Sequence, residues 1–74
     1  MLAWQSTEPL RHVWIERQYK GAPEPYQFLA EVVGTVFVDP ACGLQTTCCY
    51  RLRYTESELW TDAVCLKTKN VLIP

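Results

Sequence analysis

Thr46-Thr47-Cys48-Cys49-Tyr50-Arg51-Leu52-Arg53-Tyr54-Thr55 is the stretch on which the fold turns. Thr46, Cys48, Tyr50, Leu52 and Tyr54 fall on one side of an extended chain, and Thr47, Cys49, Arg51, Arg53 and Thr55 on the other. A period of two marks a half-buried antiparallel strand. Downstream, Glu56-Ser57-Glu58 reads as a short polar hairpin connection, and Leu59 to Lys67 returns as the next strand. Lys67-Thr68-Lys69-Asn70 is a polar break, after which Val71-Leu72-Ile73 fits a short closing strand.

Upstream, Asp39-Pro40-Ala41-Cys42-Gly43 is a turn, and Gln27 to Asp39 reads as one long strand before it. Phe28, Ala30, Val32, Gly34, Val36 and Val38 share one face of that strand. The other face carries Gln27, Glu31, Thr35 and Asp39, and also Leu29, Val33 and Phe37, which need cover. Gly34 inside the strand suggests a bulge or bend, the device by which a short strand turns a corner in a small barrel. Gly21-Ala22-Pro23-Glu24-Pro25 is a loop, because prolines two apart forbid regular pairing.

Residues 11–20 admit two readings. As a strand, Val13, Ile15 and Tyr19 share one face and Trp14 takes the other. As a helix, Ser6 or Thr7 caps the start, Pro9 sits in the first turn and Gly21 closes the end. Residues 1–10 read as a flexible arm or the start of that helix. The fold class is therefore mainly β, an antiparallel meander curled into an SH3-like small barrel. The alternative is α+β, with one N-terminal helix packed on a three-stranded antiparallel sheet.

With 74 residues the chain is a single domain. A domain of this size buries only about 60% of the surface its unfolded chain exposes, so a disulfide, metal or partner often completes its stability. The chain is 49% hydrophobic, with three Trp, four Tyr and two Phe, which is too apolar for a disordered segment. It is also much apolar material for a small monomer to hide. Seven basic and eight acidic residues leave no cationic excess for nonspecific binding to phosphates. No apolar run approaches the ~20 residues of a membrane span. Met1 to Ser6 lacks the charged start and apolar stretch of a signal peptide, so a cytoplasmic protein with reduced thiols is expected.

Tyr19-Lys20-Gly21, then Val32-Val33-Gly34-Thr35-Val36, then Tyr50-Arg51-Leu52-Arg53-Tyr54, then Leu59-Trp60 follow one another in order. That order resembles a family of small SH3-like bacterial domains of unknown function, over about Arg17 to Leu66. The resemblance implies a fold and no activity. The segment from Asp39 to Thr47 and the cysteines lie outside its pattern. The type II dihydrofolate reductases are also short SH3-like chains, but they depend on a valine-glutamine-isoleucine-tyrosine segment. Thr61-Asp62-Ala63-Val64 stands in the corresponding place, so that activity is not carried over.

Few groups suggest chemistry. Cys42, Cys48, Cys49 and Cys65 number four, as a structural zinc site requires. No two are separated by two residues, however, and Cys48 and Cys49 point to opposite faces of a strand. The plainer reading makes Cys48 and Cys65 small core residues. A disulfide such as Cys42–Cys49 would accompany export. His12 is the sole histidine, with Cys49 or Ser57 and Asp39 or Asp62 as triad partners by composition only. Glu56, Glu58 and Asp62 read as a solvated turn. No metal, cofactor or catalytic set is expected, and the chain is not expected to be an enzyme.

Arg51 and Arg53 share a face, and Trp14, Tyr19, Tyr26 and Trp60 lie in segments that a small barrel brings near one rim. Trp, Tyr and Arg are enriched at protein–protein hot spots, and a small barrel can also stack single-stranded nucleic acid on such a surface. With Phe37 on the uncovered face, these seven residues are the candidate partner or ligand surface. The expected function is a small protein-interaction module, acting as a homo-oligomer or docking on a larger protein as an adaptor or inhibitor, of the kind mobile elements encode. The alternative is a nucleic-acid or nucleotide binder.

Overall fold

The computed structural model describes residues 1–42, 46–65 and 70–72. The chain is mainly β, and no helix occurs among the described residues. Among the described residues seven strands run in chain order: β1 Leu2–Gln5, β2 His12–Tyr19, β3 Gln27–Val33, β4 Val36–Phe37, β5 Cys48–Tyr54, β6 Val64–Cys65 and β7 Asn70–Leu72. They form a four-stranded sheet in the order β3-β2-β5-β6 and a three-stranded sheet in the order β4-β1-β7. All recorded pairings are antiparallel except β1 with β7.

The helical alternative for residues 8–20 is overturned. His12–Tyr19 is the central strand β2, with β3 on one side and β5 on the other. β-branched and aromatic side chains suit a pleated surface. Val13 and Ile15 point inward and are 1% and 0% exposed, while Trp14 and Glu16 point outward. Ser6, a candidate helix cap, instead accepts a bond from the Glu8 N–H at 3.0 Å and closes a turn. Residues 2–5, within the segment read as an arm, form β1, and its Leu2 and Trp4 are buried. They cover the inner face of the four-stranded sheet, packing with Val13, Ile15, Cys48, Tyr50, Leu52 and Tyr54. The alternation expected of β5 is present: Cys48, Tyr50, Leu52 and Tyr54 are all buried.

The long strand expected from Gln27 to Asp39 divides into β3 and β4. Two irregularities reverse its faces. A bulge on β3 sets Ala30 opposite Ile15 and Phe28 opposite Glu16, so Leu29 is extra. One inserted residue flips the alternation, which turns Phe28 outward, 54% exposed, and packs Leu29 on the core. The second irregularity is Gly34, whose φ of 124° lies where side chains other than hydrogen are disfavoured. There the chain leaves the four-stranded sheet and joins β1, and Trp4 donates its N–H to the Thr35 carbonyl at 3.0 Å. Phe37 consequently packs against the core, while Val36 and Val38 face solvent. Nothing lies within 4 Å of where a Cβ on Gly34 would sit, so the cost of Gly34→Ala is conformational alone. Chemical denaturation should show a loss of about 1 to 2 kcal/mol.

The strand expected over Leu59–Lys67 is shorter. β6 is Val64–Cys65, and residues 66 and 67 lie outside the described residues. Thr61 stands in for a longer ladder. Its N–H donates to the Leu52 carbonyl at 2.8 Å, and its Oγ1 accepts from the Leu52 N–H at 3.0 Å. The closing strand is present as β7, with Ile73 outside the described residues.

All four cysteines are paired, which corrects the expectation of free thiols. Cys42 bonds Cys48, and Cys49 bonds Cys65. The pairing follows from β5. Cys48 points into the core, where Cys42 also packs, and Cys49 points the other way, directly opposite Cys65 of β6. A Cys42–Cys49 bond would have to cross the sheet.

Candidate interaction surface

The outer face of the four-stranded sheet gathers most of the candidate residues. In the β2–β5 register Trp14 lies opposite Arg53 and Glu16 opposite Arg51. Directly opposed side chains on one face are within reach of each other. The Arg53 guanidinium lies 4.8 Å from the Trp14 ring centre and 5.1 Å from that of Trp60. The Arg51 guanidinium lies 4.2 Å from Trp60 and 4.7 Å from Tyr26. Trp14 meets Phe28 edge to face, with ring centres 4.6 Å apart. The resulting row runs Tyr26, Arg51, Trp60, Arg53, Trp14, Phe28, with cations sandwiched between aromatic faces. Each such contact contributes about 0.5 to 1 kcal/mol at a part-exposed site.

The two arginines are also held by oxygen. Arg51 donates from Nε and Nη2 to Glu16 Oε1, at 2.9 and 2.7 Å. Glu16 Oε2 accepts a longer bond from Trp14 Nε1 at 3.4 Å. Arg53 Nη1 donates to the carbonyls of Tyr54, Thr55 and Ser57 at 3.2, 2.8 and 2.9 Å, which ties it to the turn after β5. The surface is therefore stiff, and its charge is largely compensated. A shallow groove of about 450 Å³ adjoins it, lined by Arg53, Trp60 and the Thr55–Glu58 turn.

Five of the seven candidates, Trp14, Tyr26, Arg51, Arg53 and Trp60, thus meet on one face. Tyr19 does not join the row. It is 41% exposed at the end of β2, stacked 5.0 Å from the Arg17 guanidinium. It lines a separate hollow of about 240 Å³ with Pro25 and Phe28. Phe37 is turned toward the core by the Gly34 corner. Phe28 is the member that sequence reading assigned to the wrong face; only the bulge exposes it.

A second constellation lies near the Cys42–Cys48 bond. Arg17 Nη1 donates to both oxygens of Asp39, at 2.9 and 2.8 Å. The Tyr50 hydroxyl donates to Oδ2 at 2.9 Å, and the Ala41 N–H to Oδ1 at 3.0 Å. Burial pushes the Asp39 carboxyl up, but these donors outweigh it and hold the group below the ordinary carboxylate value. Burial and the bond to Asp39 together push the Tyr50 phenol up. Donor atoms of Asp39, Cys42 and Cys48 lie within 4.8 Å of one another. With the two sulfurs bonded to each other and the carboxylate filled by four hydrogen bonds, this arrangement is a structural clamp.

His12 Nδ1 faces Glu31 Oε2 at 2.8 Å on an exposed surface, and the Cys49 sulfur is in a disulfide. Glu56 is bound by Arg11 Nε at 2.7 Å and by the Thr55 hydroxyl at 3.0 Å. No family model, no curated protein and no solved structure matches the chain.

Proposed function

We propose that this chain is a protein-interaction module that docks on a larger partner through the outer face of its four-stranded sheet. The observation that carries the reading is the row of alternating arginines and aromatic rings on that face. Such residues dominate binding energy at interfaces because they offer large areas at low entropic cost. Here they are pre-ordered by Glu16 and by the turn carbonyls, which lowers the ordering cost of association further. The bent segment through Gly34, which serves both sheets, supports reading the scaffold as an SH3-like small barrel. Two disulfides in so short a chain favour an oxidising compartment over the cytosol as its working environment.

The nucleic-acid reading draws on the same alternation, since bases stack on such rings. It is second because Arg51 already faces a carboxylate and the net charge is -1. Two variants test the docking reading. Trp60→Ala removes the central ring, and Phe28→Ser removes an exposed one. A partner captured from the native host and then purified should bind each variant about 30-fold or more weakly, the loss of a hot-spot residue. Unchanged affinity in both variants would overturn the reading. Salt-sensitive binding of a single-stranded oligonucleotide, lost in Arg51→Ala, would replace it with the second.

A further inference from the structure

The side of the four-stranded sheet presents a different feature from its face. Among the described residues β3 pairs only with β2, and β4 only with β1. The hydrogen bonds between the other strands identify which backbone groups of this edge are open. Thr55 donates to the His12 carbonyl, and Lys20 donates to the Thr47 carbonyl. The even residues of β2 therefore face β5, and Val13 and Ile15 face β3, because both polar groups of a residue point the same way in an antiparallel ladder. Their partners Val32 and Ala30 are engaged, which leaves the N–H and C=O of Glu31 and Val33 directed outward. By the same logic Trp4, bonded to Thr35, sets Leu2 toward Phe37, and Val36 faces out.

Exposed edges of this kind are normally blunted by Lys, Pro or an unpaired charge. From Gln27 to Val38 there is no Lys, Arg or Pro. The single charge, Glu31, is met by His12 of β2 at 2.8 Å, which draws it back onto its own sheet. Phe28, Val33, Val36 and Val38 are 54%, 50%, 56% and 65% exposed along the same segment.

We infer that the chain forms a two-fold homodimer by antiparallel pairing of the β3 edge with β3 of a second copy, Glu31 of each opposite Val33 of the other. A second copy is the occupant because an antiparallel edge is its own complement under a two-fold axis. Charge selects the register. Setting Glu31 opposite Glu31 of the other copy would oppose like charges, which is destabilising. A shift of one hydrogen-bonding repeat removes that contact and forms two doubly bonded Glu31–Val33 pairs, one on each side of a central, non-hydrogen-bonded pair of Val32 residues. The joined sheet has eight strands and leaves both aromatic rows free, so the inference does not rest on the docking reading.

Sedimentation velocity over a micromolar to millimolar series tests it on the intact, oxidised chain. The wild type should pass from monomer to dimer. Val33→Glu should weaken dimerisation about tenfold or more, because it sets a carboxylate directly opposite Glu31 of the other copy. Val33→Pro should do the same while keeping the β2 ladder, because it deletes only an outward N–H. Thermal melts verify that each variant is folded. Should either fail to fold, amide exchange of the wild type decides: Glu31 and Val33 must become protected as concentration rises. Trp60→Ala should dimerise normally, which separates this result from the docking test. A wild type that stays monomeric throughout, a dimer unaffected by Val33→Glu and Val33→Pro, or unchanged exchange at Glu31 and Val33 would overturn the inference.

Discussion

Reducing the protein with a strong dithiol should unfold it. The chain-entropy model assigns about 3 kcal/mol to the Cys49–Cys65 bond, with its separation of 16 residues, and about 2 kcal/mol to Cys42–Cys48, with a separation of six. A 74-residue domain has a total stability of roughly 4 to 11 kcal/mol. The two bonds together are thus comparable to the whole. The geometry adds a local reason. Among the described residues β6 has two strand residues, and Cys49–Cys65 adds a covalent tie to its two ladder pairs with β5. Cys42–Cys48 fastens the turn after β4 to a sulfur with no exposure at all. Far-ultraviolet circular dichroism with and without reductant reads the transition directly. Cys49→Ala combined with Cys65→Ala should lower Tm by roughly 12 to 24 °C, taking about 4 to 8 °C per kcal/mol for a domain of this size. A reduced protein that melts where the oxidised one does would show that the sheet packing suffices alone.

The cysteines also show where sequence reading reached its limit. Their opposite directions on β5 were legible from alternation: Cys48 in, Cys49 out. Their partners were not, because pairing depends on which residues lie across the sheet, and β6 register is a tertiary property. The same division holds elsewhere. Thr46 to Thr55 was readable because one face is buried, and a one-residue slip would expose all of it. Gly34 was readable as a bend because only glycine is at ease there. Leu2 and Trp4 were missed: four residues carry too short a pattern, and their burial depends on a sheet assembled from both ends of the chain. Phe28 was placed on the wrong face because a bulge has no signature in residue type. Of the candidate surface, Arg51 and Arg53 followed from period two, and Trp14 joined them once β2 was a strand and not a helix. Tyr26 and Trp60 arrive from irregular segments, where only the folded chain decides direction.

Asp39→Asn should cost about 3 kcal/mol at neutral pH, the lower end of the range for breaking a buried ion pair by removing one partner. The Asp39 side chain is 5% exposed and that of Arg17 is 19% exposed. The substitution leaves Arg17 without a counter-charge where water reaches it poorly. It also replaces a charged acceptor for the Tyr50 hydroxyl and the Ala41 N–H by a neutral amide whose nitrogen accepts nothing. Three segments depend on that carboxylate: β2 through Arg17, β5 through Tyr50 and the turn after β4 through Ala41. The pH dependence separates this charge effect from simple loss of packing. The folded Asp39 carboxyl lies below its unfolded value of about 3.9. Its contribution is therefore complete above that unfolded value and is lost as pH falls through the folded one. The stability difference between wild type and Asp39→Asn should be constant through the neutral range and shrink in acid, as the wild type gains the proton that makes it resemble the variant. Tyr50 sets the alkaline limit. Its phenol is raised in the folded state, so its contribution is complete below the ordinary phenol value of about 10 and is lost only as pH climbs through the higher folded value. Urea titrations of both proteins across that range measure the difference. A gap of the same size at every pH would mean that the carboxylate acts by shape alone.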